Sequence, residues 1–541
     1  MSTVQDVTRT PLAALLVIVA VVTAACGADV AVTATRSESS PAGGATNQTT
    51  GTDPGDPVPD PGTTTEPGTE STESTESTEP GTESTEPDLT TSEPATTEPT
   101  ITADPVIIDP EAIDFGPDKP ERPYDDFLLA SLSDLNTWWA AVYPEIYGEP
   151  WVPLEGDVYA AYPQRPNDIP GCGTPLTTYD DVQEFVAFYC GLGDFIVYDD
   201  GDDGLLTQLA DNFGAGTIGI VLAHEYGHAI QQRSGTLNRN LPTVTTEQQA
   251  DCFAGAWAAR AARGDGGVTF SDADVRAGLI AMLEVRDPVG INQFTPGGHG
   301  SGFDRVGAFQ TGFVQGPVRC GDLIDDPLPL MPNEFNDRDD LESNGNAPFG
   351  YGSGELLGFL VDDLNLFWGL DASLDAFDPL TLVPVQAPGD ATCPDLEPGL
   401  EVGAALCPAT GTVFLNEPEA LDFYNQLAFG DFSIGYLIGI AWAEAAQRSL
   451  GSTLVGEARE LNNDCLAGAW VKSVIPVDLQ LPLPRAEGRT AAVSPGDLDE
   501  AIRTAIVIGD LGADDDIIGS PFEKIDAFRA GVLGGLDACA T

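Results

Sequence analysis

Histidine and positive charge are what this chain of 541 residues has least of. It holds three histidines, and 22 lysines and arginines against 86 aspartates and glutamates, for a net charge of −64. The basic deficit excludes whole classes of function. With no Lys/Arg cluster to oppose it, such a surface repels nucleic acid and anionic lipid headgroups, so no nucleic-acid partner is expected. The acidic excess reads first as a heavily solvated surface suited to a salty medium. Stability should then respond to NaCl between low and molar concentration.

Long apolar runs are also scarce. The run at residues 11–25 is too short and one-sided for a membrane span, and it ends in small residues before Cys26. "TAAC" in front of it resembles the lipobox of a bacterial lipoprotein signal, with Thr23 where Leu is more usual. Lipidation of Cys26, ordinary signal cleavage and an uncleaved anchor all export the protein. The expected location is therefore the cell envelope, with membrane contact only through Cys26 or the uncleaved segment 1–26. Residues 27–123, with "TTTEPGTESTESTESTEPGT", have too few apolar side chains to offset their ordering entropy. They read as a disordered tether whose coil span would be ~50–60 Å.

The remainder contains an internal repeat. "SDLNTWW" (133–139) recurs as "DDLNLFW" (362–368), "DCFAGAWA" (251–258) as "DCLAGAWV" (464–471), and "GSGFDRVGAFQTGFVQGPVRC" (300–320) as "GSPFEKIDAFRAGVLGGLDAC" (519–539). Two tandem homologous domains are expected, 124–325 and 352–541, joined by a Gly/Asn/Pro-rich linker at 326–351. Each is long enough to own a core. Cysteines match between the copies: 172 with 393, 190 with 407, 252 with 465 and 320 with 539. In an exported chain such an even set reads as disulfides. The simplest symmetric scheme pairs Cys172–Cys190, Cys252–Cys320, Cys393–Cys407 and Cys465–Cys539; other symmetric schemes remain open.

Two of the three histidines stand four apart in "LAHEYGHAIQQ" (222–232). A helix is expected over 204–233, which places His224 and His228 on one face, able to share an ion. Zn²⁺ suits two imidazoles plus a carboxylate. Glu225, about 100° round that helix, is placed to act as general base: an ion there acidifies water toward a pKa of ~7, and Glu225 takes the proton as the water attacks a carbonyl. A second helix over "EQQADCFAGAWAARAAR", capped by Thr245 or Thr246, supplies Glu247 as third ligand. One turn on, Asp251 can accept the outer N–H of a ligand histidine. In so acidic a chain, Glu247 and Asp251 could equally be ordinary helix carboxylates.

The second copy serves as an internal control. Ile440, Ala441 and Glu444 stand where the first has His224, Glu225 and His228, and Ile518 faces His299. All three histidines are missing together while cysteine, tryptophan and glycine positions are kept, which favours a shared role for them in copy one. Glu460 and Asp464 keep the carboxylates of Glu247 and Asp251, which points to a structural job for that pair as well. His299, in "GGHGS", could donate to an oxyanion or be a plain turn residue.

"HEYGHAIQQRSG", "EQQADCFAGAWA" and "HGSGFDRVGAFQTGF", with "YCGLGDFIVYDD" upstream, resemble the neutral zinc metallopeptidase family of bacteria across nearly all of copy one. The resemblance implies a helix-rich α+β, zincin-like fold with "DFIVYDD" as a strand near the cleft. It also implies His224, His228 and Glu247 as zinc ligands, Glu225 as base, and a peptide or protein substrate. Copy two fits the family only as a scaffold. The alternatives are a non-catalytic envelope scaffold whose metal is structural or absent, and a hydrolase of a cell-wall amide.

Overall fold

The computed structural model describes residues 108–540 apart from 167, 175, 184, 336–337, 371–376, 427–428, 476–490 and 512–519. The signal segment, Cys26, the tether to residue 107, and Ile518 lie outside the described residues. The fold is α+β and helix-rich, as expected. The ordered body begins before residue 124. Ile113–Asp114 (β1) pairs with Val158–Ala161 (β2), Ile113 is buried, and Arg165 Nη1 donates to Asp114 O at 2.7 Å. A two-residue strand shows no periodicity, so its sequence reads as tether.

In the first half, Asp125–Tyr147 (α1) lies between β1 and β2, and these two strands form a sheet with Ala187–Cys190 (β3) and Phe195–Asp199 (β4). The order is β1-β2-β4-β3, with β3 antiparallel to β4 and the other pairs parallel. "DFIVYDD" is thus a strand, as the family resemblance implies. Leu205–Phe213 (α2), Gly216–Ser234 (α3), Thr243–Ala262 (α4), Asp272–Glu284 (α5) and Gly302–Asp322 (α6) follow.

Two helix boundaries differ from expectation. The single helix over 204–233 is broken at Gly214, whose φ of +97° a helix cannot continue. The second helix starts at Thr243, directly after Pro242, and neither Thr245 nor Thr246 caps it; Thr246 Oγ1 donates to Thr243 O instead.

Every residue of α3 from Gly216 to Gln231 is buried. A helix buried all round belongs at the centre of a core, and its polar side chains must find partners there. That requirement falls on His224, Glu225, His228 and Gln231.

The same succession occurs again in the second half: Leu356–Leu370 (α7), Thr381–Val385 (β5), Ala404–Cys407 (β6), Thr412–Asn416 (β7), Glu417–Asn425 (α8), Asp431–Ser449 (α9), Glu457–Lys472 (α10), Asp497–Leu511 (α11) and Pro521–Gly534 (α12). The order β5-β7-β6 repeats β2-β4-β3, with the same polarities. Individual contacts repeat too. Trp257 Nε1 donates to Asp134 Oδ2 at 2.9 Å, and Trp470 Nε1 to Asp363 Oδ2 at 2.9 Å. The disulfides are Cys172–Cys190, Cys252–Cys320, Cys393–Cys407 and Cys465–Cys539, the symmetric scheme.

α4 and α6 touch backbone to backbone. A Cβ on Gly255 would collide with the carbonyl oxygen of Phe309, and one on Gly312 with that of Cys252. Gly468 meets Phe528, and Gly531 meets Cys465, in the same way between α10 and α12. The 326–351 join is itself packed: Met331 N donates to Asp304, and Asn333 Nδ2 to the Pro288 and Ile291 carbonyls. Among the described residues no helix is long and apolar enough to cross a membrane.

Candidate metal centre

α3 and α4 bring His224, His228 and Glu247 together in the core. His224 Nε2 lies 3.2 Å from Glu247 Oε2 and His228 Nε2 3.4 Å from Glu247 Oε1. One donor atom from each of the three residues lies within 4.8 Å of the other two. All three are buried, Glu247 to 1% exposure.

Both imidazoles are held from behind. His224 Nδ1 faces Asp251 Oδ1 at 2.7 Å, the partner expected from the one-turn spacing of Glu247 and Asp251. His228 Nδ1 faces Gln231 Oε1 at 2.9 Å, and Gln231 Nε2 donates to Thr246 O at 2.6 Å. Because the amide NH₂ is committed to a carbonyl, Oε1 is the atom turned to the ring. With Nδ1–H donating in each case, both Nε2 atoms are left to face Glu247.

Electrostatics follow from this crowding. Burial opposes charge on His228, but Glu247, with Glu225 and Gln231, pushes its pKa up to about 9. Burial likewise opposes charge on His224, and Asp251 and Glu247 raise its pKa nonetheless. Burial disfavours the Glu247 carboxylate, yet the imidazoles of His228, His299 and His224 hold it well below the usual range.

The donor set fits a metal ion on the structure's own terms. His228 Nε2 and Glu247 Oε2 are buried without a hydrogen-bond partner, one 3.4 Å from Glu247 Oε1 and the other 3.2 Å from His224 Nε2. Two nitrogens and one carboxylate make three protein ligands, the number that leaves a zinc site open. Glu225 is buried beside His228, and its Oε2 also has no hydrogen-bond partner. It is outside the converging donor set, as its place round the helix requires. His299 approaches from the loop before α6, its Nε2 4.0 Å from Glu247 Oε2.

Three participants escaped the sequence reading. Gln231 orients His228. Asp287 accepts from the backbone N–H groups of His299 and Gly300, at 2.9 Å each, and its Oδ1 lies 3.4 Å from His299 Nδ1. Arg305 grips Asp251 with two bonds, Nε to Oδ2 at 2.9 Å and Nη2 to Oδ1 at 2.7 Å. A signal for Arg305 did exist: the repeat keeps a cation there, Lys524.

At the equivalent place in the second half, Lys524 Nζ lies 2.8 Å from Asp464 Oδ2, and Tyr436 OH donates to Asp464 Oδ1 at 2.5 Å. Glu444, standing where His228 would be, is engaged by Arg448 Nε and Arg459 Nε at 2.8 Å each.

An HExxH helix, a carboxylate from the following helix and a second carboxylate behind the first histidine give this centre the donor arrangement of a metal site on an α+β scaffold. Residues 182–322, which contain every residue of the centre, match the family model described as "Putative neutral zinc metallopeptidase". The family likeness of the motifs is thus found over this stretch. Similar curated proteins include the uncharacterized proteins Mb2605 of Mycobacterium bovis and Rv2575 of Mycobacterium tuberculosis. Each is 35% identical over 178 residues, covering 28% of this chain and 58% of the relative. The chain therefore spans a little over half the length of these relatives. No solved structure matches.

Proposed function

We propose that this protein is an exported zinc-dependent peptidase whose centre lies in the first half, with the second half a non-catalytic product of internal duplication. The observation that carries the reading is the convergence of His224, His228 and Glu247 on one buried point, with donor atoms left unpartnered there. The family match supports peptide or protein as the substrate class.

His224 Nε2, His228 Nε2 and the Glu247 carboxylate would hold the ion. When bound, zinc supplies Lewis-acid chemistry, acidifying water and polarising a scissile carbonyl. Glu225 takes up the proton of the attacking water at its unpartnered carboxylate oxygen and passes it to the leaving amine. Asp251 and Gln231 keep the two rings in the tautomer that turns Nε2 inward. Asp287 fixes His299, whose Nε2 can donate to the oxyanion of the tetrahedral stage.

The apolar run before Cys26 supports export as an envelope lipoprotein, and the Thr/Glu/Pro/Ser-rich segment supports a tether that holds the body off the membrane. For the second half, the engagement of Glu444 by two arginines supports a scaffold role.

Metal analysis and a casein-cleavage assay on the purified protein, repeated on Glu225→Gln, test the reading. Bound zinc and a 10²–10⁴-fold (order-of-magnitude) loss of rate in the variant with zinc retained are expected. Absence of zinc, or full activity in the variant, overturns it.

A further inference from the structure

α6 delivers Arg305 to Asp251, and the loop in front of it carries His299. The first N–H groups of a helix have no partner within the helix. Here Ser301 Oγ accepts from Asp304 N at 3.2 Å, and the N–H groups of Gly302 and Phe303 are taken by a side chain from the other half of the chain. Asp499, in the first turn of α11, accepts from Phe303 N at 2.7 Å with Oδ1 and from Gly302 N at 3.2 Å with Oδ2. Asp499 Oδ2 also lies 2.6 Å from Arg286 Nε. Arg286 is followed by Asp287, which holds His299. One carboxylate therefore closes both ends of the loop that bears His299. Arg529 of α12 seals the same place, with its guanidinium 4.2 Å over the Phe303 ring and Nη1 donating to Phe303 O.

The arrangement runs one way. α5 and α11 both open on a serine N–H bonded to an aspartate three residues on, Ser271 to Asp274 and Ser494 to Asp497, at 2.8 Å each. Counting from those pairs, the position of Asp499 is held by Arg276 in the first half. The helix it would serve, α12, begins with Pro521, which has no N–H, where α6 has Gly302. The second half thus caps the first through an aspartate that the first half, with Arg276 at that position, does not have to offer in return.

We propose that Asp499 is a positioning residue for the metal centre: the second half acts as a built-in clamp that sets Arg305, and through it Asp251 and His224, as well as the His299 loop. The inference rests on the zinc reading above. A negative group at a helix N-terminus is favourable in itself; the added point is where this helix leads. Loss of partners behind a ligand histidine typically lowers metal affinity about 10–100-fold, and a group one step further back should act at the lower end of that range.

The test measures zinc affinity, by competition with a chromophoric chelator, in the full-length protein and in Asp499→Ala, Asp499→Asn and Arg503→Met. Arg503, one turn along α11 from Asp499, pairs through Nη1 with Glu284 Oε1 at 2.5 Å between the same halves, whereas the Gly302 and Phe303 N–H groups go to Asp499. The expectation is an affinity loss of about tenfold in Asp499→Ala, a smaller loss in Asp499→Asn, and none in Arg503→Met, with hydrogen exchange accelerated at residues 287–303 only in the Asp499 variants. A folded Asp499→Ala protein with wild-type zinc affinity overturns the proposal. Equal losses in Asp499→Ala and Arg503→Met do so too, because they would reflect general loosening. If the alanine form does not fold, wild-type affinity in Asp499→Asn overturns it. A wild-type protein that binds no zinc sinks the peptidase reading itself, and this inference with it.

Discussion

Arg305 and Asp251 form a buried two-pronged pair in which the Asp251 oxygen gripped by Nη2 is also the oxygen that faces His224 Nδ1. The guanidinium thus sets the carboxylate, and the carboxylate sets the ring. Arg305→Met leaves a buried carboxylate without its cation, and it should lower zinc affinity about 10–100-fold with a stability loss of about 3–5 kcal/mol. Arg305→Lys keeps the charge but not the fork. The second half lives with that arrangement in Lys524 and Asp464, so the lysine form should fold and lose less affinity. Chelator competition and thermal melts check both.

Metal uptake should release protons. In the metal-free protein His228 is pushed up to about 9 from an ordinary 6.5, so at neutral pH it is cationic and must deprotonate to become a ligand. Zinc affinity should therefore climb as pH rises toward about 9. The stability of the metal-free protein moves in the opposite sense. A raised pKa gives stability fully present below 6.5 and lost as pH rises through about 9. Calorimetry of zinc binding in buffers of different ionisation enthalpy counts the protons; pH-independent binding would contradict this.

Glu247→Gln removes the charge that the two imidazoles share. It should abolish tight zinc binding, and in the metal-free protein it should bring the pKa of His228 down from about 9. With three histidines in the chain, a proton NMR titration can follow each ring. An unmoved His228 would separate it from Glu247.

The Cys252–Cys320 bond closes a separation of 68 residues and Cys172–Cys190 one of 18. By restriction of the unfolded chain they should contribute ~4 and ~3 kcal/mol respectively. Cys252 follows Asp251 directly, so reduction should lower zinc affinity as well as the melting temperature. Peptide mapping without reduction should recover both pairs, and a Cys172–Cys252 peptide would refute the scheme.

What could be read from the sequence was what rests on local spacing. His224 and His228 four apart, and Glu247 and Asp251 four apart, share a helix face whatever surrounds them. The repeat then reduced the choices for eight cysteines to a few. What escaped depends on chain segments far apart in sequence: Arg305 reaching Asp251, Asp287 reaching His299, Asp499 reaching Phe303. Local reading also erred where backbone conformation decided the outcome. Gly214 splits a helix that periodicity would have run on, and Pro242 sets the start of α4 ahead of the threonines that looked like caps.

The glycine contacts between α4 and α6 have a mechanical consequence. With Gly255 against Phe309 and Gly312 against Cys252, the two helices mesh like teeth, main chain against main chain at both points. Asp251 rides on one helix and Arg305 on the other, so their alignment is indexed by main-chain geometry. Sliding of α6 along α4 would shift Arg305 against Asp251, the carboxylate that holds the imidazole of His224.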